Sequence, residues 1–429
     1  MWDWVLWSAI FKGLAFLALL LCIGALFSAL LGSWRRQTRE AALHRVTMEE
    51  FKARLATAYV EKVAREKESL TWNGYRKFQV RRRVDEGAGI SSFYLEPHDG
   101  KPIPSFRPGQ YLTFSLPIPG EPRKLVRCYS LSDSPKEDYY RVSIKKQPAP
   151  SDRPEIAPGR SSSFFHEYVA EGTLLDVAAP RGDFALDLTN SNPIVLIGSG
   201  VGVTPVLSML EAVAERGFDR EVWFFYGVRS PEERILSGRI SELASSAIGK
   251  LHLYTCYSQI GHAQLPTSFP IHSHAGYPDV ALFKQVLPSN NFDYFVCGPP
   301  AMMEALTHDL NEWGVPDERV HYEAFGPASV KKSVRAEGIE SSVAQEVEVT
   351  FKRSGKVLSW RPGDGSILEL AEDNGVAIDF ACRAGSCGSC LTAVRSGDVE
   401  YLDDPSANPD GGSCLPCIAV PKSTLVLDA

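Results

Sequence analysis

No excess of basic residues marks this chain: 45 lysines and arginines stand against 52 acidic residues, a net charge of −7 over 429 residues. The electrostatic footprint that nucleic-acid binding requires is therefore missing. Nine cysteines is an odd number, which excludes a fully paired disulfide framework. No repeat with a period of roughly 20–50 residues recurs, so a solenoid or propeller is excluded as well. What remains, 44% hydrophobic and 23% charged, is the composition of ordinary folded domains. The length allows about two to four of them.

Charge is absent altogether from Gly13 to Gly32, GLAFLALLLCIGALFSALLG. At about 1.5 Å per residue this run reaches roughly 30 Å, the depth of a bilayer's hydrocarbon core. Trp2, Trp4 and Trp7 precede it and Trp34 follows, as interfacial aromatics do. Arg35, Arg36 and Arg39 come next, so the positive-inside rule puts everything downstream in the cytoplasm. We therefore expect a single-pass anchor in the inner (cell) membrane at residues 1–34. A cleaved signal peptide would have a shorter apolar core, and a buried core helix would carry some charge. Residues 35–71 then read as an amphipathic helical connector.

Periodicity divides the remainder. Residues 72–189 hold short alternating runs, YLTFSL and YYRVSI among them, split by Pro and Gly clusters, as in a small antiparallel β-barrel. In residues 190–327 buried strands alternate with helical stretches (PIVLIGSG, VLSMLEAVAERG, EVWFFYGV, HLYTCYS, DYFVCGPP), the pattern of a parallel doubly wound α/β sheet. A polar linker at 328–344 leads to an α+β region at 345–429 containing EVEVTF and KVLSW.

Cys22, Cys128, Cys256 and Cys297 are scattered, whereas the others gather between residues 382 and 417. Cys382-RAGS-Cys387-GS-Cys390, followed after 26 residues by Cys417, has the C-x4-C-x2-C spacing of a plant-type [2Fe–2S] site. Three thiolates on one short loop must converge on two irons, so the loop has to wrap tightly, and Gly385 and Gly388 permit that. A zinc ribbon would pair Cys387 and Cys390 with Cys414 and Cys417. That alternative leaves Cys382 unused and gives the glycines no purpose.

Upstream, Arg127-Cys-Tyr129-Ser130 sits on a barrel strand, and Gly159-Arg-Ser-Ser162-Ser163 opens a helix whose N-terminal amides suit a phosphate. Gly198-Ser-Gly200-Val-Gly202-Val-Thr204 joins a buried strand to a helix without forming the G-x-G-x-x-G fingerprint. Cys297-Gly298 ends another strand, and EAFG carries Phe325.

In this order and spacing, RCYS, GRSSSFFH, GSGVGVTP, YFVCGPP and YEAFG resemble the ferredoxin–NADP reductase superfamily, across residues 72–327. They are most similar to the reductase half of flavohaemoglobins, with no globin ahead of them. CIAVP and SGDVEYL are similar to plant-type ferredoxins, and the combined layout resembles phthalate dioxygenase reductase and its relatives. This resemblance implies that Arg127, Tyr129, Ser130, Ser162 and Ser163 meet a flavin, FAD with FMN as the alternative. It implies further that Gly200, Val201, Gly202, Thr204 and Gly298 line the nicotinamide nucleotide, with Cys297 near its reactive carbon. Phe325 would cover the flavin face, and Cys382, Cys387, Cys390 and Cys417 would ligate the cluster.

The implied activity is an oxidoreductase that takes hydride from NADH or NADPH and sends single electrons through the cluster to an acceptor. Ser130, Cys297 and Phe325 would stand nearest the hydride step. Arg229 or Arg234 could pair a 2′-phosphate, or be solvated surface charges, which leaves NADH and NADPH open. The acceptor is an oxygenase, a desaturase, or a haem or hybrid-cluster protein. A respiratory-type quinone reductase and a membrane-tethered redox sensor are the alternatives.

Overall fold

The computed structural model describes residues 70–149, 157–247, 249–260, 265–266, 271–325, 346–402, 405, 407 and 409–429. Of a separate first unit, residues 1–69, it describes only Leu26, Ser28, Gly32 and Trp34, all helical. The expected membrane span at 13–32 therefore lies outside the described residues, apart from Leu26, Ser28 and Gly32. So do the connector, except for Leu70 and Thr71, and the linker at 328–344. Among the described residues no helix is long and apolar enough to cross a membrane.

The second unit begins with six antiparallel strands: β1 (Arg76–Gly87), β2 (Ile90–Pro97), β3 (Tyr111–Leu116), β4 (Leu125–Ser130), β5 (Tyr140–Lys145) and β6 (Leu174–Val177). Their order is β4-β3-β6-β1-β2-β5, and a bridge from Leu131 to Val142 joins the two edges into a barrel. Closure removes the exposed edges that such a short sheet would otherwise present. Phe78, Phe93, Leu112, Phe114, Tyr140 and Val142 fill the interior. Helix α1 (Arg160–Tyr168) lies against the barrel, where Phe165 meets Phe93 and Phe114 edge-on.

Next comes a six-stranded parallel sheet of β7 (Ile194–Ser199), β8 (Val222–Val228), β9 (Leu251–Tyr257), β10 (Ile271–Ala275), β11 (Asp293–Gly298) and β12 (Val320–Ala324), ordered β10-β9-β8-β7-β11-β12. Its central strands are almost wholly buried, β8 at every residue, because helices cover both faces. α2 (Val203–Glu215) and α3 (Ser237–Ser246) pack on one side. α4 (Val280–Val286) and α5 (Pro300–Glu312) pack on the other.

The C-terminal region is α+β. A sheet ordered β14-β13-β19-β15-β17 contains β13 (Val347–Phe351), β14 (Lys356–Trp360), β15 (Thr392–Ser396), β17 (Ser413–Cys414) and β19 (Leu425–Leu427). A separate pair joins β16 (Val399–Tyr401) to β18 (Ala419–Pro421). α6 (Ile367–Asp373) starts with a reciprocal cap. Ser366 Oγ accepts from Glu369 N at 3.3 Å, and Glu369 Oε2 accepts from Ser366 N at 2.7 Å. The long chain between α6 and β15 is the cysteine loop.

Two glycines hold the middle sheet together in different ways. Gly202 has an ordinary helical φ of −62°, but a Cβ there would strike the Cys297 carbonyl and sit 2.8 Å from Gly298 N. Gly200 has φ +56° with open space around it. Gly202→Ala should therefore cost about 1–3 kcal/mol by overpacking, and Gly200→Ala about 1–2 kcal/mol by backbone strain. Denaturant unfolding of each variant reads these losses, and only the former should loosen the β7–β11 contact seen by hydrogen exchange.

Candidate functional site

The strand order reverses between β7 and β11: the chain leaves β7 toward β8 and leaves β11 toward β12. In open parallel sheets such a point leaves a crevice at the carboxyl ends of the strands. Both expected nucleotide segments open there, Gly198–Gly202 at the end of β7 and Gly298–Pro299 at the end of β11. Gly198 lets α2 approach, since a Cβ would come within 2.7 Å of Val203 Cα. Thr204 Oγ1 donates to Val201 O at 3.0 Å, fixing the turn. The turn can therefore offer backbone to a diphosphate at the start of a 13-residue helix.

Cys297 is the penultimate residue of β11. Its side chain is fully buried in the core with Phe295 and Val203, and burial, followed by the nearby Glu323 carboxyl, pushes the thiol well above its usual range. As placed, it packs as a neutral core side chain and Gly298 meets the crevice. Phe325, one residue past β12, is partly buried against the α2 side of the sheet. Arg229 forms an ion pair with Glu233, whereas Arg234 Nε is buried without a partner among the described residues.

The RCYS segment is β4, paired antiparallel with β3 in the register Tyr111–Ser130, Leu112–Tyr129, Thr113–Cys128, Phe114–Arg127. Tyr129 lies edge-on to Phe114 and Phe165, and its hydroxyl bonds Ser161 Oγ at 2.8 Å. Burial pushes it up to about 12, so it remains a neutral phenol. Arg127 Nη1 donates to Val126 O at 2.7 Å, and its guanidinium lies 5.2 Å from the Phe380 ring centre. Among the described residues it has no ion pair, which leaves its charge for an anion.

Ser162 is committed to the chain: its Oγ donates to Gly159 O at 3.0 Å and accepts from Gln147 N at 3.1 Å. Any phosphate contact from Ser162 would have to use its amide. The neighbouring Ser163 hydroxyl is buried with no partner among the described residues, which fits an acceptor group arriving at the helix start. A free guanidinium, an unsatisfied hydroxyl and open helix amides together fit a flavin bearing a phosphate or diphosphate.

Ser130 Oγ makes a loose hydrogen bond, 3.4 Å, to Glu323 Oε2. Glu323 stands beside Cys297 in the β11–β12 register, so this contact joins barrel to nucleotide sheet across 193 residues of sequence. Its carboxyl is enclosed although the residue keeps some exposed surface, and burial, tempered by Ser130, raises it to about 8.

The four expected cluster cysteines form two pairs. Cys387 N donates to Cys382 Sγ at 3.3 Å, with Ala384 N also aimed at that sulfur, while Cys390 and Cys417 have their sulfurs 3.2 Å apart. Ser389 N reaches Cys387 Sγ at 3.4 Å. Gly385 (φ +69°) and Gly388 (φ +72°) bend the loop, and a Cβ on Gly385 would strike Ile418 beside Cys417. Cys414 lies instead in the sheet core, on the strand paired with β15. Among the described residues no three His, Cys, Asp or Glu side chains gather around one metal ion. Two sulfur pairs with inward amides suit a two-iron cluster better than one tetrahedral zinc.

The cysteine loop rests on the barrel. Tyr111 OH and Ser386 Oγ are 2.6 Å apart and both residues are buried. Phe380 sits between Arg127 and Arg383, whose guanidinium lies 4.2 Å from its ring centre. Cys128, in contact with Thr113 Oγ1 at 3.3 Å, is also within hydrogen-bonding reach of Cys387.

Comparison with known proteins agrees with this geometry. Residues 196–308 match the oxidoreductase NAD-binding domain family, and residues 349–422 match the 2Fe-2S iron-sulfur cluster binding domain family. With the flavin barrel ahead of them, these domains define an NAD(P)H-dependent flavin and iron–sulfur oxidoreductase. Over a longer stretch the chain is similar to phthalate dioxygenase reductase, whose structure is described as modular for electron transfer from pyridine nucleotides to [2Fe-2S]. The identity is 27% and the TM-score 0.50, over 83% of this chain and 98% of that one. A flavohem-like FAD/NAD binding domain of nitric oxide dioxygenase from Vibrio cholerae aligns over 59% of this chain and all of its own length, at 29% identity and TM-score 0.52. The flavohemoprotein of Halalkalibacterium halodurans is 36% identical over 61% of this chain, and that of Oceanobacillus iheyensis 38% over 60%. The chain spans 62% and 60% of the length of these two curated relatives.

Sequence reasoning passed over Glu323, Tyr111, Cys128, Ser161 and Phe380 as members of the site, and the hydroxyl of Ser386. Glu323 stands inside the YEAFG segment that had drawn attention to Phe325, and Tyr111 inside YLTFSL, so local signals existed for both.

Two expectations follow. Cys417→Ser should abolish iron binding and the cluster's share of the visible absorbance while leaving the flavin's, whereas Cys414→Ser should keep the iron and lose about 1–3 kcal/mol for a hydroxyl placed in the core. Iron assay and denaturation separate the two. Folded Glu323 holds its proton up to about pH 8, whereas the unfolded carboxyl loses it near 4.5. Across that window the folded state binds more protons, so this residue's contribution to stability falls as pH rises. Glu323→Gln should flatten the fall in a pH series of melting temperatures.

Proposed function

We propose that the chain is an electron-supplying reductase, held to a membrane by residues 13–32, that passes electrons from NAD(P)H through FAD and a [2Fe–2S] cluster to a protein acceptor of the oxygenase type. The observation that carries this reading is the convergence at Ser130. Its hydroxyl meets Glu323 of the nucleotide sheet, and its register partner Tyr111 meets Ser386 of the cysteine loop. Nucleotide crevice, barrel strand and cluster loop thus share one junction.

When bound, the flavin accepts a hydride's two electrons together and the cluster carries one at a time. The residues hold these groups in line and supply no nucleophile. The Gly200–Gly202 turn receives the nucleotide diphosphate, and Thr204 keeps that turn closed. Arg127 and the amides opening α1 receive the flavin's phosphates, with the Ser163 hydroxyl as a further donor. Tyr129 presents a neutral aromatic edge. Ser130 donates toward the flavin's reacting nitrogen, and Glu323, protonated below about pH 8, holds a proton beside it. Phe325, just past β12, would cover the flavin face. Cys297 contributes packing beneath the turn. Cys382 with Cys387, and Cys390 with Cys417, would hold the cluster through their thiolates.

FAD is favoured over FMN by the flavohemoprotein likeness of the barrel and nucleotide sheet and by the FAD/NAD domain that aligns across both. The oxygenase-type acceptor is favoured by the end-to-end likeness to phthalate dioxygenase reductase. The anchor rests on the uncharged run at 13–32 and the arginines after it.

In purified full-length protein, Cys382→Ser should leave NAD(P)H-driven ferricyanide reduction intact, because that acceptor takes electrons from the flavin. Reduction of a one-electron protein acceptor such as cytochrome c should fall about tenfold or more. Equal loss of both activities, or of neither, contradicts the proposed order of carriers.

A further inference from the structure

The link between Tyr111 and Ser386 joins residues 275 positions apart, in two domains, and both side chains are closed off from water. Ser386 lies between Gly385 and the ligand Cys387, with its hydroxyl also within hydrogen-bonding reach of the Cys382 sulfur. Tyr111 begins β3 directly opposite Ser130. Its ring is held flat against Gly182, where a Cβ would come within 2.9 Å of Cε1. The phenol therefore has one placement and one described hydroxyl partner, at an O···O separation of 2.6 Å.

Direction follows from donor capacity. If the phenol donates to Ser386 Oγ, the serine's own proton is free to point at Cys382. If the phenol accepted instead, the serine would have nothing left to give the sulfur. Burial favours the neutral phenol, so it keeps its proton to donate. Hydrogen bonds to ligand sulfur stabilise the added negative charge of a reduced cluster and raise its potential.

We propose that Tyr111 is a positioning residue for the flavin-to-cluster step, acting through Ser386: a hydroxyl relay from the barrel strand opposite Ser130 to a cluster-ligand sulfur. The relay docks the cysteine loop on the barrel and raises the cluster's potential while it is docked. It adds no chemistry of its own, since the electron lost by the reduced flavin is the one gained by the cluster. This inference rests on the flavin and cluster reading above.

The test uses full-length holoenzyme as wild type, Tyr111→Phe, Ser386→Ala and the double variant. Two readouts are needed: the cluster's midpoint potential by EPR-monitored titration, and stopped-flow absorbance after anaerobic mixing with NAD(P)H. Tyr111→Phe should leave flavin reduction at the wild-type rate, lower the cluster potential, and slow cluster reduction about fivefold, the worth of one net hydrogen bond. Ser386→Ala should also spare flavin reduction and should lower the potential at least as far, since it removes the bond to the Cys382 sulfur as well, and the double variant should be no worse than Ser386→Ala alone. A barrel substitution of purely structural effect would not move the potential of a cluster bound by another domain. An unchanged potential in Tyr111→Phe, or additive losses in the double variant, overturns the inference. If Tyr111→Phe fails to load its cofactors, Ser386→Ala decides alone, and a wild-type potential there overturns the inference as well. Failure of wild type to reduce its cluster with either nucleotide would instead sink the parent reading.

Discussion

The register of one antiparallel pair, β3 against β4, is the constraint from which the candidate site follows. Fixing Tyr111 opposite Ser130 and Thr113 opposite Cys128 aims one part of the pair at the nucleotide sheet and another at the cysteine loop. A slip of β4 by one residue would turn its side chains to the other face. Ser130 would leave Glu323, and Tyr111 would lose its partner across the pair. The pair is secured by Phe114 and Phe165 on the barrel side and by the Leu131–Val142 bridge that closes the sheet. Rigidity in the barrel is thus what allows two other domains to meet at a defined junction.

The junction also contains charge and polar groups that an apolar core would exclude. Glu323 holds a proton because it is enclosed, and Cys297 remains a thiol for the same reason. Both sit at the carboxyl end of parallel strands, where a reversal of strand order opens a crevice. Burial there sets protonation states, and the glycines at 198 and 202 set the distance between turn and strand. Cluster-side chemistry follows the same economy of space: backbone amides, made available by Gly385 and Gly388, do the work of orienting sulfur.

Much of this was legible in the chain itself. Strands such as PIVLIGSG and EVWFFYGV are apolar runs bounded by glycine, and burial on both faces of a parallel sheet is what such runs require. The cysteine spacing carried its own geometry, because thiolates on one tight loop leave few arrangements. Local patterns could not disclose the contacts between distant segments. Ser130 with Glu323, Tyr111 with Ser386 and Arg127 with Phe380 each join residues of different domains, and no periodicity encodes which faces meet. Ser162 and Cys297 show the opposite limit. Each lies in the expected motif, yet the Ser162 hydroxyl closes a loop and the Cys297 thiol fills a core, because a motif fixes backbone position before side-chain direction.

The account's central claim is that nucleotide, flavin and cluster sites form one electron path within a single chain. An anaerobic reductive titration of the full-length protein with NADH or NADPH, counting equivalents against absorbance and the cluster's EPR signal, tests this most directly. The account predicts uptake of about three electrons per chain, two at the flavin and one at the cluster, with the EPR signal developing during the titration. Saturation at about two electrons, with the cluster silent until a chemical reductant is added, would contradict it.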